Sequence, residues 1–292
     1  MTLKGRCGRN MKKKFWTGKR IRAALQTLLA TLVMIVMVFP LYWMIVTSFK
    51  TTEEVLLNVP TFIPTTFTLD AYREVMAHYP VLRYVFNTLI VTGGILCIQV
   101  LTAILAAYGF SKGQFGGRDT LFIFVLGAMM IPIQVTFIPI YVMISQRGML
   151  NSYIGLILPE AASAYSIFLL RQSFLSVDNS YLEAAQVDGM GKLRTIFNVL
   201  APMCRPTIIT MTILAFINGW NAYFWPKMIV TTDKVRTIAL GIADIRNSFL
   251  SMEALNMNQI MAASCIAAVP ILLLFVILQR YILSGFSKAA MK

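Results

Sequence analysis

The sequence predicts an all-α membrane protein with six transmembrane helices, and three observations carry that reading. Of its 292 residues, 58% are hydrophobic and 13% charged, against about 45–50% and about 25% in ordinary soluble domains. The apolar residues fall in continuous runs rather than alternating ones, and about 20 of them make one helical crossing of a bilayer. The charges collect between those runs. In lipid every backbone polar group must find its partner within the fold, which leaves helices or closed barrels; unbroken apolar runs select helices.

The runs cover about 23–49, 84–110, 120–144, 153–170, 207–225 and 260–281. Threaded alternately from the inside, they place eighteen of the 26 Lys and Arg residues on the starting side and eight on the other. Such a bias marks the cytoplasmic side, so both termini are expected there in a multi-pass chain. The basic stretch 1–22 reads as a cytoplasmic tail ahead of a permanent anchor, because the run after it is too long for a cleaved signal and no small-residue cleavage site follows. Residues 23–292 form the membrane domain. The formal charge of +14 is then a topology signal, since the basic residues are spread over several loops without a nucleic-acid-reading motif. Cys7, Cys97, Cys204 and Cys265 show no metal or disulfide spacing, and no metal site is predicted. Two outer segments, about 50–83 and 226–259, are long enough to be surfaces. The first holds the single histidine, His78, read as a loop residue.

The inner loop between the fourth and fifth runs is patterned. Ser180 followed by Glu183 has the spacing of a capping box, in which hydroxyl and carboxylate satisfy free N–H groups at a helix start. Gly189 suits the left-handed end of that helix, and Leu193, Ile196, Phe197 and Leu200 fall at the i, i+3, i+4, i+7 spacing of a second apolar stripe. Pro202 and Pro206 turn the chain back toward the membrane. Two short helices joined at a glycine, with both flanks tied to spans, form either a lever or a hairpin resting on lipid headgroups.

Glu183-Ala184-Ala185, then Asp188-Gly189 and Pro202, resembles the EAA loop of bacterial ABC importer permeases, whose pattern is E-A-A-x-x-D-G-A followed further on by L-P. Met190 and Ala201 depart from that pattern. Phe168 to Gln172, Gly219 to Pro226 and Gln279 to Tyr281 resemble the carbohydrate-uptake, MalG-like subfamily, and the likeness runs from about residue 23 to the end. It implies the six-span MalG/MetI-like permease fold in a bacterial inner or plasma membrane. The coupling helix would lie within about 178–206, with Ser180, Glu183, Ala184, Ala185, Asp188, Gly189 and Pro202 serving ATPase coupling. The partners implied are a second homologous permease, two ATPase subunits and an extracytoplasmic solute-binding protein that meets the segment 226–259. The terminal sequence from Ser287 to Lys292 only partly matches the family's tail.

No G-x-x-x-x-G-K-[ST] motif occurs, so the chain lacks a phosphate-cradling loop. No cofactor is expected on it, and ATP and Mg are assigned to the partner ATPase. Candidate solute-path residues are Glu160, a carboxylate within an apolar run, and Asn218, Trp220 and Asn221, amides beside an aromatic ring. A carrier acting alone with ions or protons would show repeats and several intramembrane ionisable groups. A membrane enzyme would show convergent nucleophile, base or metal groups. Neither pattern is present. The reading is a sugar-class importer permease that performs no covalent chemistry.

Overall fold

A computed structural model describes residues 7–250 and 257–290. In chain order, α1 (Cys7–Ser48) is followed by the short α2 (Thr52–Val55) and α3 (Asp70–His78), the long α4 (Val81–Lys112), then α5 (Arg118–Ala128) and α6 (Ile133–Gln146). Next come α7 (Tyr153–Ile157), continued by a 3-10 turn (Leu158–Glu160), and α8 (Ala164–Leu175). After α9 (Ser180–Val187), the helix α10 (Lys192–Thr195), a π turn (Ile196–Leu200) and α11 (Ala201–Met203) lead to α12 (Arg205–Trp220). The chain closes with α13 (Phe224–Ile229), α14 (Ile238–Leu250) and α15 (Met257–Ala290).

Among the described residues, three helices are apolar and long enough to cross a membrane unbroken: Arg20–Ser48 of α1, all of α4, and Met257–Ile277 of α15. The remaining candidates are bent pairs. α5 and α6 meet at 98°, α7 with its 3-10 turn meets α8 at 45°, and α10–α11 meets α12 at 85°. Six spans are reached by counting each pair once. The continuous third and fourth rods predicted over 120–144 and 153–170 are therefore each two helices, and proline is the cause. Pro132 lacks an N–H and pushes Ile131 out of helical geometry, so α5 stops at Ala128 and α6 restarts after the proline. Pro159 sits in the 3-10 turn, and α8 restarts at Ser163, whose hydroxyl accepts the Ser166 N–H at 3.3 Å. Pro206 occupies the first turn of α12, where its missing donor costs nothing.

The tail and first span predicted as separate pieces are one helix from Cys7, because Lys and Arg are good helix formers; residues 1–6 lie outside the described residues. So do Met291 and Lys292 of the C-terminal sequence and residues 251–256 of the second outer segment. His78 ends α3 rather than sitting in a loop, its Nδ1 2.9 Å from the Glu74 carbonyl.

The chain divides into two compact units. The first runs to Arg73 and includes the start of α15 as far as Cys265. There α1 keeps its apolar side chains exposed, while the segment after it is folded back by hydrogen bonds. Lys50 Nζ donates to the Thr61 carbonyl, and the Thr61 hydroxyl and Thr65 N–H donate to the Glu54 carboxylate. Phe67 stacks on Phe49 at 4.5 Å, and Asn258 Nδ2 donates to the Lys50 carbonyl at 3.1 Å.

The second unit holds the chain from Glu74 through α14 and the rest of α15. It is built around α4, which meets α7, α8, α12 and α14. Toward its C-terminus, Ala103 and Ala107 are fully buried against Leu170 and Phe174 of α8 in a cluster that also takes in Leu200 and Met211. Toward its N-terminus, buried polar side chains grip the loop before α14. Asn87 donates to the carbonyls of Lys234 and Arg236 at 3.1 and 2.8 Å and accepts from the Tyr153 hydroxyl at 2.7 Å. The Thr88 hydroxyl accepts the Ile238 N–H at 2.8 Å. Arg236 bridges Asp233 at 2.7 Å and Asp244 at 3.2 Å, and Asp233 also accepts from Tyr84.

Gly241 of α14 is required at one point of this contact: a Cβ there would lie 2.3 Å from Cδ2 of Tyr84. Overpacking of that kind costs about 1–3 kcal/mol. Gly241→Ala is expected to lower the apparent melting temperature in detergent, followed by scanning fluorimetry. Gly93→Ala, whose Cβ meets nothing within 4 Å, is expected to leave it unchanged or raise it.

Candidate functional site

Two places in the second unit gather the candidate residues: a helical hairpin after α8, and a cleft beside the break between α7 and α8.

In the hairpin, Ser180 is the first residue of α9, so the position ahead of the helix belongs to Asn179. The predicted capping box between Ser180 and Glu183 is not formed. The Glu183 N–H bonds the Asn179 carbonyl at 3.0 Å, and the Asp178 carboxylate takes the Ser180 N–H at 2.9 Å. That bond, with the Ser180 hydroxyl and the Lys112 charge, holds the Asp178 carboxyl below its ordinary range. Its contribution is complete above the ordinary carboxylate pKa and fades as pH falls through the lowered value. The Asn179 amide is itself engaged: Lys112 Nζ at the end of α4 donates to its Oδ1 at 2.6 Å and to the Val177 carbonyl at 2.7 Å.

α9 ends as predicted at Gly189, with φ +75°. The Met190 N–H reaches the Ala185 carbonyl at 2.9 Å and the Gly189 N–H the Gln186 carbonyl at 3.0 Å, the paired bonds of a Schellman ending. A Cβ at Gly189 would meet nothing within 4 Å, so backbone conformation alone demands glycine there.

The second stripe departs from the sequence reading. Ile196 and Leu200 are buried with Ala103, Leu170 and Phe174, but Leu193 and Phe197 face outward. Phe197 lies inside the π turn, whose wider winding departs from a 3.6-residue phase, whereas Leu193 precedes it in the exposed first turn of α10. The hairpin thus has two faces. Ala185, Ile196 and Leu200 are buried, whereas Tyr181, Val187 and Leu193 are exposed, Val187 to 88%. Ser180, Glu183, Ala184, Asp188 and Pro202 also lie exposed, and Glu183 borders a polar recess of about 610 Å³ with Lys112, Arg118 and Lys192.

The cleft has a volume of about 760 Å³. Glu160 in the 3-10 turn, Asn218 near the end of α12, and Asn221 just beyond it all line it. Trp220 does not. It is 2% exposed, stacked on Phe216 at 5.6 Å, and its indole N–H donates to the Ala267 carbonyl at 3.1 Å. The helical step between Asn218 and Trp220 turns them to different sides. Three further lining residues escaped sequence reasoning: Gln99, Tyr165 and Tyr223. Gln99 had a usable signal, being a lone amide in the middle of the apolar run of α4. The half-buried Glu160 carboxylate has no hydrogen bond or ion pair among the described residues. The Asn221 amide donates to the Ile217 carbonyl at 2.9 Å, and its oxygen keeps its capacity to accept.

Residues 99–288 match the family of binding-protein-dependent transport system inner membrane components. An arabinooligosaccharides transport system permease protein of Halalkalibacterium halodurans is 28% identical over 258 residues, covering 87% of this chain and 91% of its own. An sn-glycerol-3-phosphate transport system permease protein of Brucella abortus is 28% identical over 265 residues, covering 88% and 93%. In fold, the chain superposes with a TM-score of 0.79 and 21% identity on a chain of a bacterial ABC transporter that imports the acidic polysaccharide alginate, covering 90% and 97%. The apolar helices, the two-faced hairpin and the family match together make this multi-pass chain a member of the binding-protein-dependent transport inner membrane component family, an ABC importer permease subunit.

Proposed function

We propose that the exposed face of the hairpin is the docking surface for an ATPase subunit, and that the hairpin transmits motion from that subunit to the spans. The observation that carries this is the hairpin's two-sidedness. Tyr181, Val187 and Leu193 are large apolar side chains left in the open on the hairpin, while Ile196 and Leu200 are built into the same core as α4 and α8. A surface with contiguous exposed apolar residues marks a contact for another protein. Force applied there is delivered to the spans through close-packed side chains and through the two Lys112 hydrogen bonds.

Lys112, Arg118, Arg171, Lys192, Arg194 and Arg205 all fall at the hairpin end of the second unit's helices. That concentration supports a cytoplasmic hairpin and cytoplasmic termini. On this reading ATP and Mg bind the ATPase subunits, two of which act with this chain and a second, homologous permease. An extracytoplasmic binding protein delivers a sugar or related solute to the outer segment 226–259. The cleft beside Glu160, Asn218 and Asn221 is this subunit's share of the solute path; its amides and aromatic rings suit polyhydroxylated solutes. The sugar and glycerol phosphate solutes named for the relatives support that class.

Val187→Asp places a charge on the exposed face without touching the buried one. It is expected to leave the permease in the membrane and cut ATPase co-purification by about tenfold, the equivalent of 1.4 kcal/mol; undiminished co-purification would remove the docking reading. Gly189→Val forces a β-branched residue into left-handed geometry at a cost of about 1–2 kcal/mol. Transport and solute-stimulated ATP hydrolysis are expected to fall together, and normal values of both would sink the lever.

A further inference from the structure

We infer that the cleft admits uncharged or cationic polyhydroxylated solutes and turns anionic ones away, with Glu160 as the residue that sets the charge preference. The inference rests on the reading of the cleft as part of the solute path and goes beyond it by naming the charge class.

Three observations carry it. First, among the residues lining the cleft Glu160 is the only ionisable carboxylate, and no Lys, Arg or His lines it at all. Second, the Glu160 carboxylate is uncommitted: it forms no ion pair and no hydrogen bond among the described residues, so none of them cancels its charge when it is ionised. Third, the two basic residues that adjoin the lining segments in sequence are themselves engaged: Arg236, next to Thr237, is held between Asp233 and Asp244, and Lys227, next to Pro226, lies over the ring of the lining residue Tyr223 at 5.3 Å.

The remaining polar groups include the Gln99, Asn218 and Asn221 amides and the hydroxyls of Thr136, Ser163, Thr237, Tyr165 and Tyr223. Such groups both donate and accept, which matches sugar hydroxyls and gives no net field. A carboxylate adds acceptor capacity for hydroxyls and attraction for an ammonium, but it repels a phosphate or a uronate, and low-dielectric walls strengthen that repulsion. Recognition of phosphate and carboxylate relies on Arg or Lys, and the lining supplies neither. Two of the proteins this chain is similar to are named for anionic cargo, glycerol phosphate and alginate. The lining places this chain in the other charge class, despite the shared fold.

The test reads the local field directly and needs no knowledge of the natural solute. In the assembled transporter, with Cys7, Cys97, Cys204 and Cys265 replaced, Ala162→Cys introduces a thiol on the cleft lining two residues from Glu160. Its reaction rates with a cationic (ethyltrimethylammonium) and an anionic (ethylsulfonate) methanethiosulfonate are compared after division by their rates with a free thiol. The cationic reagent is expected to react faster by about tenfold, the ratio equivalent to 1.4 kcal/mol, and Glu160→Gln is expected to bring the ratio close to one. Ala222→Cys, on the lining after α12, provides a second position read in the same way.

Equal rates for the two reagents, or a ratio that Glu160→Gln leaves unchanged, would overturn the charge preference while leaving the solute path intact. Failure of both cysteines to react with either reagent would instead overturn the solute path and the inference with it. Import of sn-glycerol 3-phosphate by the assembled transporter would contradict the inference outright.

Discussion

Close packing of α4 on α8 is the contact on which the second unit depends. Ala103 and Ala107 stand one helical turn apart on α4, and their small side chains let Leu170 and Phe174 seat with no exposed surface. Small residues at such a crossing matter in lipid, where apolar surface gains nothing from leaving the solvent and association rests on van der Waals contact and hydrogen bonds. Because α4 is unbroken and its partners are bent, it serves as the fixed rod against which the broken helices are arranged.

The two ends of that rod carry different chemistry. At its N-terminal end Asn87 and Thr88 are buried amide and hydroxyl groups whose bonding capacity is used on the chain entering α14 and on Tyr153. At its C-terminal end Lys112 holds the entry to α9 by a carbonyl and an amide oxygen. The hairpin is thus packed on and bonded to α4, and α4 also contributes Val91, Ile95 and Gln99 to the cleft. On the proposed reading, that geometry connects the surface for an ATPase subunit with the surface for a solute through one helix.

The breaks in the apolar runs have the same origin and a use. Irregular backbone within a membrane span is tolerated where protein or a water-filled cavity surrounds it. The 3-10 turn at Leu158–Glu160 borders the cleft, and so does the stretch from Ala128 to Ile133 around Pro132. Prolines that interrupt two spans thereby place non-helical backbone and a carboxylate at one cavity.

How much of this was legible in the sequence varies residue by residue. Gly189 could be read because a left-handed residue at a helix end is a local steric matter that glycine alone meets without cost. The start of α9 was read to within one residue but its cap was not: the Ser180 and Glu183 spacing is correct for a capping box, yet Asp178 takes the Ser180 amide and Lys112, distant in sequence, engages Asn179. The Leu193 to Leu200 stripe held only at Ile196 and Leu200, because from Ile196 a π turn replaces the α-helix that the periodicity assumes. Trp220 and Gln99 failed in opposite directions, one an interface-like aromatic that is buried in the core, the other an unremarked amide that faces the cleft. Composition and run length by themselves determined a helical, multi-pass chain, and the Glu183 to Pro202 pattern determined its family, because both follow from properties of neighbouring residues. Tertiary structure alone decided which polar groups share a cavity and which apolar groups of the hairpin stay outside, because those depend on helix rotation and on partners remote along the chain.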